Sequence, residues 1–179
     1  RSVGLVLGGG GARGFAHIGV LRALEERGIP VDHVGGASTG AVIGSLWAAG
    51  SSIDEIVDLN EAAFVRSGLH RAFTFPVVSI LAGEVPARHL DARFGSRRIE
   101  DLWTDFFCVS ANLTRAETRV HRRGILADAV LASVAMPGLF PPVFEDGDVL
   151  VDGGLANNLP VDVMRERCRG TVIASDPSP

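Results

Sequence analysis

The sequence predicts an α/β domain built on a parallel sheet, and three observations carry that expectation. Val3–Leu7 is an apolar run that stops at four consecutive glycines, as a buried strand does at a tight loop. An apolar repeat follows at Phe15, Ile18, Leu21 and Leu24, and Gly28 with Pro30 ends that helix. The same order then returns: an apolar run over 31–34, and a second helix from Ser38 or Thr39 to Ala49 that Gly50 closes. Strand, helix, strand, helix within one short stretch implies parallel strands joined by helical crossovers.

Further along, Ser52 with Glu55 three residues on forms a capping box, which predicts a third helix over 53–66. Between 67 and 98 the pattern weakens. Pro76 and Pro86, with the apolar run 73–81, point to irregular structure and a mobile lid. Strands are expected at 106–110 and 119–121, and a helix over 125–136 that stops before Pro137. The runs 143–144 and 149–151 flank Asp146-Gly147, a hairpin signal, and 171–174 reads as a last strand. With no repeat, linker or low-complexity segment, residues 1–179 read as one domain.

The balance of 17 Lys+Arg against 21 Asp+Glu, a net charge of -4, argues against a nucleic-acid partner, which normally demands a basic excess. The hydrophobic share of 46% is that of a globular chain able to bury a core. Cys108 and Cys168 give neither CxxC spacing nor a disulfide framework, so a reducing compartment is the default and no zinc site can be built from them. The expected location is cytoplasmic, or peripheral at the inner face of a membrane. The chain starts at Arg1 with neither Met nor an apolar leader, and so reads as excised from a longer polypeptide. Residues 34–53 lack charge over a length that prompts a membrane-span reading, but Gly35, Gly36, Gly40, Gly44 and Gly50 favour a buried helix.

Two motifs carry candidate chemistry in the first fifty residues. GGGGARG, from Gly8 to Gly14, sits between strand and helix, where backbone N–H groups and the helix dipole attract an anion. Its spacing Gly9-x-Gly11-x-x-Gly14 satisfies the dinucleotide fingerprint, but the acid expected at the tip of the second strand is missing; Asp32 lies inside the strand. GASTG, from Gly36 to Gly40, places Ser38 at a strand-to-helix junction. A nucleophile elbow needs small residues two before and two after its serine, and Gly36 and Gly40 supply them. A glycine-spaced helix start that packs tightly on the sheet is an equal reading of the same pattern, since chance alone supplies roughly 0.2 matches in such a chain.

A serine nucleophile needs a base. No histidine follows His121, and none completes the order nucleophile, acid, histidine. His70 and His89 read as solvent-exposed, His121 as part of a charged edge among Arg119, Arg122 and Arg123, and His17 as a structural hydrogen-bonder. A serine paired directly with a carboxylate remains, and Asp152 of Val151-Asp152-Gly153-Gly154 is the choice: it follows an apolar strand and precedes two glycines. A turn aspartate capping the Gly-Gly bend is the alternative. Asp146 and Asp148 read as a solvated hairpin turn without an EF-hand pattern.

GGGGARG, GASTG and DGG, in that order, resemble the patatin-like phospholipases, and LVLGGGGARGFAHIGVLRAL is most similar to the neuropathy target esterase branch. IEDLW at 99–103, MPGLFPPV at 136–143 and DGGLANNLPVDV at 152–163 extend the likeness over nearly the whole chain. The resemblance implies a three-layer α/β/α sandwich with a mainly parallel central sheet. It implies Ser38 as nucleophile and Asp152 as base of a Ser-Asp dyad, and an oxyanion hole from Gly9, Gly10 and Gly11 with the amide of Arg13. It places Gly14, Gly36, Gly40, Gly153 and Gly154 in the motifs, with no metal and no cofactor. Thr39 stands where this branch more often has a bulkier apolar residue. The implied activity is hydrolysis of phospholipid or lysophospholipid esters, with peripheral membrane contact, no nucleic acid, and a cyclic-nucleotide-binding region upstream. A nucleotide-binding Rossmann-like module and a catalytically silent lipid-binding domain are the rivals.

Overall fold

Short apolar runs that bury alternate residues on opposite faces place a sheet at the centre of the molecule. The computed structural model describes residues 2–63, 79 and 84–178. Its strands are β1 (Val3–Leu7), β2 (His33–Ala37), β3 (Asp105–Asn112), β4 (Glu117–His121), β5 (Val143–Glu145), β6 (Asp148–Asp152) and β7 (Thr171–Ser175). They form one sheet in the order β5-β6-β3-β2-β1-β7, with β4 also paired to β3. The pairings β7–β1, β1–β2 and β2–β3 are parallel, so the centre of the sheet is parallel as expected. Antiparallel β4, β5 and β6 extend it beyond β3.

Helices α1 (Ala16–Glu26), α2 (Thr39–Ala48), α3 (Ile53–Glu61), α4 (Glu84–Phe94), α5 (Leu126–Ser133) and α6 (Val161–Arg167) cover the two faces. On one face Leu5, Leu7, Val34, Phe106 and Cys108 pack with buried residues of α1 to α5. On the other, Val6, Ala37, Phe107 and Val109 meet Val163 and Met164 of α6. This is a three-layer α/β/α sandwich. Each fully buried Leu or Phe of these cores contributes about 1.5–3 kcal/mol relative to exposure, so the sheet that carries the site is held from both faces.

Several boundaries differ from expectation for identifiable reasons. β2 begins at His33 and continues through Gly35 and Gly36 to Ala37, although glycine is a poor strand former. Gly35 is required because a Cβ there would overlap the Phe107 ring opposite it. Asp32 lies just before this strand and its carboxylate accepts Val3 N–H at 2.7 Å, a structural task. The glycine loop passes through a 3-10 turn, Gly11–Phe15, before α1. α4 falls where irregular structure was expected; Pro86 sits in its first turn, where a missing N–H costs no helical bond. α6 had no strong periodic signal.

The capping box of α3 is present, with Ser52 Oγ accepting from Glu55 N and Glu55 Oε2 accepting from Ser52 N. Residues 64–66 of the expected third helix, His70 and, apart from Ser79, the 73–81 run where the lid was expected lie outside the described residues. At the β5–β6 hairpin Asp146 and Gly147 both take positive φ, 50° and 85°, as a tight two-residue turn demands. The uncharged stretch becomes the end of β2 and α2, eight of whose residues are buried. No helix among the described residues is long and apolar enough to cross a membrane. Cys108 and Cys168 are free and buried, and burial pushes the Cys108 thiol far up.

Candidate active site

Ser38 directly follows β2 and stands at the N-cap position of α2 in a backbone conformation, φ 51° and ψ -123°, that a non-glycine residue seldom adopts. Such strain persists only if the surroundings hold it. Ser38 N–H donates to Ser133 Oγ at 3.0 Å, and Ser133 Oγ in turn donates to Val109 O at 2.7 Å. On the far side Ser38 O accepts from Ala41 N at 2.9 Å and from Val42 N at 3.2 Å. The flanking glycines meet a steric need. A Cβ on Gly36 would lie 2.6 Å from Gly40 C, and one on Gly40 would run into Leu7 O. The glycines of GASTG thus allow a tightly packed helix start and a sharp strand-to-helix turn together.

Asp152 closes β6 with its side chain against that elbow. Its Oδ2 accepts from Ser38 Oγ at 2.7 Å, and its Oδ1 accepts from Gly154 N at 2.8 Å. Its N–H donates to Ala135 O at 3.0 Å. Gly153 leaves room for Val109 O, into which a Cβ would run. Both groups are buried, Ser38 7% and Asp152 4% exposed, so the pair is largely shielded from bulk water. Burial pushes the Asp152 carboxyl above its ordinary value, against the pull of the Ser38 hydroxyl and the Gly154 amide. A buried carboxylate with a raised proton affinity, on a short bond to a hydroxyl, can take that hydroxyl's proton.

The glycine loop borders the same pocket as Ser38 and Asp152. Of the four amides expected as oxyanion donors, two already donate within the chain. Gly9 N–H reaches Asn158 O at 3.2 Å and Arg13 N–H reaches Gly10 O at 3.1 Å. The N–H groups of Gly10 and Gly11 have no such partner among the described residues. Gly14 lets the loop lie on α2, since a Cβ there would stand 2.6 Å from Thr39 Cβ.

Two pockets meet at Ser38 and Asp152. One runs between α2, α4 and α5 and is apolar, lined by Val42, Leu90, Val134, Met136, Leu139 and Phe140 beside Ser38 and Asp152. The other is open and more polar, lined by Gly9, Gly10 and Arg13 of the glycine loop together with Asn158 and Ser178. Leu139 and Phe140 of the MPGLFPPV block thus face the apolar pocket, whereas Phe144 is 74% exposed on β5.

Three of the described histidines, His17, His33 and His121, fall elsewhere, and His89 borders the apolar pocket. His17 is fully buried, with Nε2 2.8 Å from Gly8 O and Nδ1 2.9 Å from Ser175 Oγ. A carbonyl only accepts, so Nε2 carries the proton, and burial lowers the pKa of this ring. His121 is buried, not on a charged edge; it bonds Ser110 Oγ at 2.8 Å, and burial first, then Arg119, lowers it to about 4. His33 pairs with Asp105, and His89 is exposed. Asp146 is exposed as expected, but Asp148 is buried and accepts from Asn112 and Arg115. Among the described residues no group of three or more His, Cys, Asp or Glu could hold a metal ion.

Ser133, Ala135 and Asn158 support the site and were not singled out from the sequence. Ser133 had one usable signal, a hydroxyl at the buried end of an otherwise apolar helix. Asn158 stands six residues after Asp152 and had none.

The family model of the patatin-like phospholipases matches residues 5–165. Lysophospholipase NTE1 of Candida glabrata is 42% identical over 180 residues, which cover 98% of this chain and 10% of that protein. The patatin-like phospholipase domain-containing protein ZK370.4 of Caenorhabditis elegans is 44% identical over 184 residues, 98% of this chain and 14% of that one. The chain thus spans about a tenth of the length of the curated relatives it matches. VipD from Legionella pneumophila shares the fold, with a TM-score of 0.57 at 18% identity over 89% of this chain and 47% of its own.

Proposed function

The chain belongs to the patatin-like phospholipase family, and from that premise we propose that it is a serine hydrolase of phospholipid or lysophospholipid esters working through Ser38 and Asp152. The observation that carries the proposal is the 2.7 Å bond from Ser38 Oγ to Asp152 Oδ2, made at a strained elbow and out of water. Asp152 takes the Ser38 proton as Oγ bonds to the ester carbonyl carbon. The carbonyl oxygen becomes an oxyanion, received by the N–H groups of Gly10 and Gly11. When the tetrahedral species collapses, the C–O bond to the alcohol breaks, and Asp152 returns the proton to the leaving alkoxide. Water then bonds to the acyl carbon as the same carboxylate takes its proton; the Ser38 Oγ–C bond breaks, the proton returns to Oγ, and the fatty acid leaves.

The apolar pocket suits the acyl chain and the polar one the glycerophosphate side of the leaving group, since each then meets surroundings of its own polarity. Asp32 precedes β2 and bonds Val3 at the start of β1, the end of these parallel strands away from the glycine loop, which leaves the nucleotide-binding rival without its acid.

A fluorophosphonate probe tests the proposal. It should phosphonylate Ser38 alone, mapped by mass spectrometry of the folded protein, and Ser38→Ala should abolish both adduct and ester hydrolysis. An adduct on another serine, or hydrolysis that survives Ser38→Ala, overturns it.

A further inference from the structure

Three successive carbonyls of the glycine loop are each held by a donor. Gly9 O accepts from Asn158 Nδ2 at 3.2 Å, Gly10 O from Arg13 N–H at 3.1 Å, and Gly11 O from Thr39 Oγ1 at 3.0 Å. In a trans peptide the C=O and the N–H that follows it point in opposite directions, and no described peptide is cis. Holding Gly9 O therefore fixes where Gly10 N–H points, and holding Gly10 O fixes Gly11 N–H. Holding Gly11 O fixes the next peptide and keeps Gly11 at φ 55°, a conformation that a glycine loop is otherwise free to leave.

Two of these three restraints come from side chains outside the loop. We propose that Asn158 and Thr39 are positioning residues of the oxyanion site: Asn158 aims the Gly10 amide, and Thr39, by holding the peptide after Gly11, keeps Gly11 in the conformation that presents its own amide, both before substrate arrives. The inference rests on the hydrolase reading of Ser38 and Asp152. Asn158 grips Gly9 at both ends, because its main-chain O also accepts Gly9 N–H at 3.2 Å. Since Gly9 O can only accept, the Asn158 atom facing it is the nitrogen. Thr39 acts from the residue after the nucleophile, and so ties the position of Ser38 to that of the loop. Amides aimed in advance need no reorganisation when negative charge develops, and that is the origin of their effect on rate.

Steady-state kinetics of the full chain on a soluble short-chain ester test this. Thr39→Val keeps the shape and removes the donor; Thr39→Ser keeps the donor; Asn158→Ala removes the other restraint. Thr39→Val and Asn158→Ala should each lower kcat about tenfold to hundredfold with KM within about twofold, the split expected when only the transition state loses an interaction. Thr39→Ser should stay within about threefold of the parent, and the acid limb of the pH profile should not move in Thr39→Val, because Asp152 is untouched. Unchanged kcat in both donor-removing variants, a change confined to KM, or a Thr39→Ser variant as poor as Thr39→Val overturns the proposal. A parent protein that a fluorophosphonate leaves unlabelled at Ser38 overturns the hydrolase reading as well, which separates the two failures.

Discussion

Ser38 and Asp152 meet end to end along one edge of β3. β2 runs parallel to β3 and its last rung pairs Ala37 with Val109; β6 runs antiparallel and its last rung pairs Asp152 with Ser110. β4 occupies the opposite edge, so β2 and β6 approach each other head-on over consecutive residues of one strand. A register slip of one residue would turn Asp152 to the other face of the sheet. The contact is thus a property of the strand pairing, and Ser133 and Ala135 bind the main chain on either side of it.

Asp152→Asn should lower kcat by about 10²–10⁴, the range for losing a general base, since an amide cannot take the serine proton. It should not lower stability at neutral pH. The native carboxyl is raised above 3.8, so the folded state holds its proton more tightly than the unfolded chain does. Stability from this group is present at low pH and lost as pH rises from the ordinary carboxylate range through the raised native value. Melting temperatures measured for both proteins across pH 3 to 8 should show the parent losing stability relative to Asp152→Asn as pH rises. For the same reason the acid limb of kcat/KM should lie above the ordinary aspartate value of about 3.9.

Ser133→Ala removes the acceptor of Ser38 N–H and the donor to Val109 O together. Leaving such buried groups unpaired costs about 1–3 kcal/mol. Urea unfolding should show that loss. Fluorophosphonate labelling of Ser38 should slow in the same variant, because the elbow's strained φ loses one of its restraints. Labelling at the parental rate would show that Ala41 and Val42 hold the elbow without it.

How far the sequence could be read follows from these contacts. Strands whose side chains face two cores, such as β1 and β3, announce themselves as apolar runs. β2 was clipped because Gly35 is in the strand to make room for Phe107, a partner far away in sequence. α4 was hidden by a proline that does no harm in a first turn, and α6 by its brevity. Ser38, Asp152 and the glycines were legible because sharp turns restrict residue type to small side chains. Ser133, Asn158 and Thr39 were not, because a hydroxyl or amide that bonds a distant main chain leaves no local pattern. Nor could spacing tell which loop amides donate internally; Gly9 and Arg13 do so through Asn158 and Gly10.

Two glycine-to-alanine changes should have opposite signs. Gly40→Ala places a methyl group against Leu7 O, a main-chain atom of the central sheet, and should destabilise by about 1–3 kcal/mol or more, as overpacking does. Gly19, exposed inside α1, has nothing within 4 Å of a new Cβ, so Gly19→Ala should stabilise by about 0.5–1 kcal/mol. Chemical denaturation of both variants checks the contrast.

Acid should destabilise the fold partly through His121. Its ring is buried, bonded to Ser110 Oγ, and lowered from 6.5 to about 4. Between those values the unfolded chain binds a proton that the folded chain does not, so stability rises with pH across the window and is lost as pH falls through it. At about 1.36 kcal/mol per pH unit the full effect is at most about 3 kcal/mol. His17, lowered in the same direction, adds to the same slope. His121→Asn has no titrating ring and keeps a group able to bond Ser110, so its stability should fall less steeply than the parent's between pH 6.5 and 4. Parallel slopes for the two proteins would mean that His121 is protonated as readily in the native sheet as in the unfolded chain.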